Sequence, residues 1–153
     1  MKFLVALILA LTPIPGRSEI DAWISEQSHD KISIHQATKF KTVAFKYSFR
    51  YDVDPFLVLA IMRVESGFRP NVVSSHGAIG VMQVIPRWHP EKVKSRSLKN
   101  IEVGTEVGVR VIAEYLKKHK TVKKALWAYS GGSYEYAKRV ISVKTSLQNR
   151  IRS

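Results

Sequence analysis

From Pro55 to Val64 the chain reads PFLVLAIMRV, apolar at every position except Arg63. A run with no polar face to offer water predicts a helix buried on most sides. Asp54 before Pro55 is its start signal, a side-chain acceptor followed by a residue whose missing N–H costs nothing in the first turn. Upstream, Ala37, Phe40, Val43, Ala44 and Tyr47 recur at helical spacing and predict a helix over about 34–50. Residues 19–30 predict a shorter, polar one. Downstream, Val103, Val107, Val111, Tyr115 and Leu116 form one stripe of a helix over 101–119, with Asn100 as its N-cap. Gly104 and Gly108 lie four apart on that helix, a cost in propensity that predicts close approach to another backbone. Thr121 opens a helix to about Tyr129, Ser130-Gly131-Gly132 breaks it, and Ser133 opens a last helix through about Val143.

Between residues 67 and 80 Gly, Pro, Asn and Ser gather too densely for regular structure, predicting an irregular loop or a short β-hairpin. Val81 to Ile85 is a short apolar segment stopped by Pro86, and residues 87–99 read as a basic surface loop. The 153 residues suit one well-formed core. The expectation is a single, mainly α domain over residues 19–153. Residues 1–18 read as a secretory leader: Met1-Lys2, an apolar run from Phe3 to Leu11, Pro13 and Pro15, then small residues before Glu19. The run is short for a membrane span, so any membrane attachment is expected only through this leader or its retention as an N-terminal anchor.

A formal charge of +13 calls for a polyanionic partner or surface, and nucleic acid, acidic lipid and anionic cell wall all fit that field. The basic residues are scattered, and no motif for reading bases accompanies them, which argues against specific nucleic-acid binding. Cysteine is absent, so there is neither a disulfide nor a thiolate metal site. The five histidines, His29, His35, His76, His89 and His119, show no ligand spacing, so no metal and no cofactor are expected.

The chemistry concentrates at Glu65. At 3.6 residues per turn it lies over Ile61 and Met62 and in line with Val58, so its carboxylate shares a face with apolar neighbours. Burial without a partner raises a carboxyl pKa, the condition for a general acid that must hold a proton near neutral pH. The plainer reading is a helix-end glutamate in solvent or paired with Arg63 or Arg69.

Several motifs in order, over roughly residues 38–142, resemble the SLT-type lytic transglycosylases, a branch of the lysozyme-like fold related to goose-type lysozymes. Tyr51-Asp52-Val53-Asp54-Pro55 resembles that family's approach to its catalytic helix, and Glu65-Ser66 with Phe68 and Asn71 resembles its Glu-Ser motif. Gly80-Val81-Met82-Gln83 resembles its Gly-Leu-Met-Gln motif, with Val81 as a departure. Tyr115-Leu116 resembles its Tyr-Leu pair, and Ala128-Tyr129-Ser130 its Ala-Tyr-Asn motif, with Ser130 in place of asparagine. A serine hydroxyl lacks the amide's reach and second donor.

The resemblance implies a lysozyme-like helical fold and Glu65 as catalytic residue. It also implies sugar contacts from Ser66, Met82, Gln83, Tyr115, Tyr129 and Ser130, with Phe68 as a further apolar surface. The implied reaction cleaves the β-1,4 bond between N-acetylmuramic acid and N-acetylglucosamine in peptidoglycan without water, leaving a 1,6-anhydro sugar. An ordinary glycosidase uses two carboxylates. Here Asp52 and Asp54 read as turn and cap residues and Glu91 lies in the basic stretch, so one acid assisted by the substrate's own N-acetyl and C6 hydroxyl groups fits. A hydrolase on the same fold and a non-catalytic glycan-binding protein are the alternatives. The expected setting is the periplasm or the exterior, or a phage virion or its host's periplasm. The expected partners are glycan strands and a secretion, conjugation or phage assembly.

Overall fold

The computed structural model describes residues 16–153, with side chains from Glu19 onward. The expected leader therefore falls outside the described residues except for positions 16–18. Among the described residues seven α-helices follow in order: α1 Gly16–Gln27, α2 Ile34–Tyr51, α3 Pro55–Ser66, α4 Pro90–Val93 after a 3-10 turn at Pro86–Trp88, α5 Ile101–His119, α6 Val122–Tyr129 and α7 Tyr134–Arg152. Helix α3 packs on α2 and α7, α5 on α2 and α6, and α6 on α7, which makes α3 the hydrophobic axis of the domain. Leu57, Leu59, Ile61 and Met62 of α3 are fully buried, each contributing about 1.5–3 kcal/mol relative to exposure.

The caps form as their residue types dictate. Asp54 accepts from Phe56 N at 2.8 Å, while Asn100, Thr121 and Ser133 each accept a backbone N–H three residues on. Helix α2 adds a capping box between Ser33 and Gln36. Asp52 caps the C-terminus of α2 in the left-handed region at φ 56°, so both aspartates before α3 serve the backbone.

Three expectations change, and a fourth, the choice between loop and hairpin around 67–80, is decided for the loop. Helix α1 is not merely polar: Ile20, Trp23 and Ile24 are buried, and Asp21 pairs with buried Lys41 at 2.6 Å. Helix α7 continues to Arg152 and buries Leu147, so core packing runs past both ends of the 38–142 stretch. The basic stretch 87–99 is built rather than loose, because Val93 and Leu98 are buried against Val107 and Val111 of α5. Around 67–80 no strand forms among the described residues. Only the bridges Val73–Ile79 and Ile79–Val84 appear, giving an irregular loop. No described helix is long and apolar enough to cross a membrane.

The glycines of α5 do bring other chain close. A Cβ on Gly104 would lie 2.7 Å from the Leu98 carbonyl oxygen, and one on Gly108 would lie 2.5 Å from Met82 Sδ. These contacts seat the segments 80–83 and 94–98 on α5, and thereby shape one wall of the cleft described next.

Candidate active site

Glu65 stands in the last turn of α3, which Gly67 closes in the left-handed region at φ 57°. It lies on a cleft of about 430 Å³ shared with Gln83, Trp88, Tyr115, Tyr129 and Ser130. No other Asp or Glu lines that cleft among the described residues. Neither arginine beside it in sequence pairs with it. Arg63 Nε donates to Gln27 at 3.1 Å, and Arg69 Nε donates to the Ser66 carbonyl at 2.8 Å.

Two phenols flank the carboxyl group. Tyr129 and Tyr136 stack with ring centroids 6.4 Å apart and planes 11° apart, and Tyr129 donates to the Met82 carbonyl at 2.7 Å. The Tyr136 hydroxyl is buried and makes no well-formed hydrogen bond, yet it faces Glu65 closely enough to favour the carboxylate. Burial dominates: it pushes the Glu65 pKa up to about 7, against the opposing pull of the Tyr136 hydroxyl and the Arg139 charge. The same desolvation, reinforced by Glu65, holds both phenols well above their ordinary value of 10. Such a carboxyl group exchanges a proton near neutral pH, as acid–base chemistry requires.

Of the residues expected at the site, Glu65, Gln83, Tyr115, Tyr129 and Ser130 come together on the cleft, while Ser66, Met82 and Phe68 do not line it. Ser66 is buried, and its hydroxyl donates to the Val81 carbonyl at 2.8 Å, tying α3 to the segment before Gln83. Met82 is buried against Gly108. Phe68 packs edge-on to Trp23 and Phe40, because successive left-handed residues at 67 and 68 turn it into the core. These three position the cleft rather than face it.

The Gln83 amide nitrogen donates to the Val72 and Gly80 carbonyls, both at 3.0 Å, which fixes the loop. The amide oxygen accepts from no donor among the described residues. Ser130 is more fully engaged: its hydroxyl donates to the Trp127 carbonyl at 2.8 Å and accepts from Ser133 N at 2.9 Å, so it closes the turn between α6 and α7. The asparagine-to-serine departure thus replaces a reaching amide with a local turn former.

Sequence reading missed Trp88, which lines the cleft, and Tyr136, which does not line it but faces Glu65. Tyr136 sits three residues after the Ser133 cap, one turn before buried Val140, on the face that α7 turns to α3. Trp88 is 54% exposed at the mouth, with the Arg87 guanidinium 5.8 Å from its ring. Among the described residues no group of three or more His, Asp or Glu side chains is placed to hold a metal ion.

The sequence has relatives. The chain is 31% identical over 138 residues to a membrane-bound lytic murein transglycosylase C of Haemophilus ducreyi, covering 76% of this chain and 36% of that protein. It is 30% identical over 124 residues to an endo-type membrane-bound lytic murein transglycosylase A of Klebsiella pneumoniae subsp. pneumoniae, covering 74% and 59%. A transglycosylase C of Glaesserella parasuis is 46% identical over 96 residues, covering 54% and 26%. The chain therefore spans less than two thirds of the length of each of these relatives. Residues 42–151, which hold Glu65, both flanking tyrosines and the whole cleft, match the transglycosylase SLT domain, and the chain belongs to that family.

Proposed function

We propose that this protein is a peptidoglycan lytic transglycosylase in which Glu65 acts first as acid and then as base. The observation that carries this reading is the solitary carboxyl group. Glu65 has a pKa near 7 and lies on a cleft of about 430 Å³ with no second carboxylate, among the described residues, to activate water or attack carbon. Its proton passes to the glycosidic oxygen as the C1–O bond breaks, and the carbonyl oxygen of the neighbouring N-acetyl group stabilises the positive C1. The Glu65 carboxylate then takes the proton of the C6 hydroxyl while that oxygen bonds to C1, leaving a 1,6-anhydro sugar and a neutral Glu65. Murein appears in the names of the relatives above, and a murein substrate places the reaction outside the cytoplasm, where a polyanionic wall suits a chain of charge +13.

Mass spectrometry of fragments released from purified peptidoglycan tests the reading. Anhydro-muramyl ends are the expected product. Hydrated reducing ends would make the protein a hydrolase, and the absence of fragments would leave a glycan binder.

Tyr136 is assigned the orientation of Glu65. Tyr136→Phe removes the hydroxyl that favours the carboxylate, so the pKa of Glu65 rises. The alkaline limb of the pH–rate profile is expected to move to higher pH. An unmoved limb in a folded variant would remove Tyr136 from the mechanism.

A further inference from the structure

Beyond the cleft, aromatic rings continue in a line. Tyr115, which lines the cleft, has its ring centroid 6.1 Å from that of His119; His119 is 6.4 Å from Trp127, and Trp127 stacks on Tyr134 at 5.9 Å and 28°. The line ends in the open, since Tyr134 is 46% exposed. Lys123 lies 5.5 Å over its ring, within a basic stretch from Lys117 to Lys124. The backbone connects the two regions as well. Gly131 lines the cleft, and a Cβ on the next residue, Gly132, would lie 3.8 Å from the Trp127 indole nitrogen, at ordinary contact distance.

Core packing does not account for this arrangement. A tyrosine half in water, stacked on a tryptophan and topped by a lysine, offers a flat apolar face with a cation beside it. Sugar rings present flat C–H faces of matching size, and peptide-substituted glycans carry carboxylates.

We propose that Trp127 and Tyr134 form a distal saccharide subsite, which holds sugar units of a long glycan strand after they leave the cleft, while Lys123 faces the strand's anionic substituents. The proposal rests on the peptidoglycan reading for the identity of its occupant. Continuity with the cleft through Tyr115 and Gly131 favours a glycan over a nucleic acid, the other polymer that aromatic and basic groups together can hold.

The test uses the full chain carrying Glu65→Gln, so that strands bind without being consumed. Tryptophan fluorescence reports the affinity for a peptidoglycan tetrasaccharide and for purified strands of eight or more sugars. The long strands are expected to bind about tenfold tighter, an advantage that Tyr134→Ala removes and Tyr134→Phe retains. In the Glu65 parent, Tyr134→Ala lowers the ratio of kcat/KM for long strands over the tetrasaccharide by a similar factor. An advantage untouched by Tyr134→Ala would overturn the subsite. So would tighter Tyr134-dependent binding of a single-stranded DNA oligonucleotide than of the strands. Lack of cleavage by the Glu65 parent would instead sink the catalytic reading, and the binding comparison would still report on the subsite by itself.

Discussion

Glu65→Gln is expected to lower release of fragments from purified peptidoglycan by about 10³-fold or more while making the folded protein more stable above neutral pH. The amide preserves the size of the side chain but has no proton to transfer, and general acid–base contributions of 10²–10⁴-fold are ordinary for one group. The stability gain follows from linkage. The folded protein binds the Glu65 proton more tightly than the unfolded chain does, since its pKa is about 7 against an ordinary 4.5. Stability from this group is therefore complete below pH 4.5, declines as pH rises, and is gone above about pH 7. The difference amounts to about 3 kcal/mol. Glutamine bears no such pH-dependent cost, and comparing the two proteins cancels every other titrating group. The melting temperature of Glu65→Gln should exceed that of the parent at pH 8 by roughly 6–10 °C more than at pH 4. Parallel melting curves across that range would mean that Glu65 is solvated and ionised throughout, and the acid role would fall with its burial. In the parent, cleavage should also decline as pH rises through about 7, because the carboxylate has no proton to give.

The sequence made the helices legible wherever a capping residue met an apolar run. Asp54, Asn100, Thr121 and Ser133 all cap as their types require, because that interaction is settled within three residues of chain. It hid the extent of α7, where Leu147 is the buried side chain after Val140 and the positions between and beyond are largely polar. Too sparse a stripe carries no visible period. Glu65 was legible because a carboxylate on an apolar helix face is costly whatever packs against it. Its partner Tyr136 was not, since nothing in a local pattern shows which helix α3 will meet 71 residues later. Ser66, Met82 and Phe68 are buried off the cleft lining for the opposite reason. They stand in the right motifs, but the left-handed turn at 67–68 carries Phe68 inward, Gly108 makes room for Met82, and Ser66 bonds the Val81 carbonyl, contacts that spacing alone does not show.

Gly80→Ala is expected to destabilise the protein by about 3 kcal/mol or more and to disable the cleft with it. The new Cβ would stand 2.2 Å from the Leu98 carbonyl oxygen and 3.1 Å from its carbon, contacts with backbone that no side-chain rotation relieves. Leu98 cannot retreat, because the same oxygen already lies against Gly104 of α5. The segment before Leu98 is held as well: Arg96 bonds Glu106 at 2.6 Å and the Lys92 carbonyl at 2.7 Å. Residue 80 must move instead, and its carbonyl is one of the two that hold the Gln83 amide. Backbone strain adds to the collision, since φ at Gly80 is +86°. Gly77→Ala separates the two effects. Gly77 has nearly the same φ, +82°, but open space where the Cβ would go, so it should lose only about 1 kcal/mol. Thermal melts of the two variants should then differ by roughly 4–8 °C, with Gly80→Ala the lower. Equal losses would show that the chain relaxes around Leu98 at little cost, and the wall that carries Gln83 would then be softer than its contacts imply.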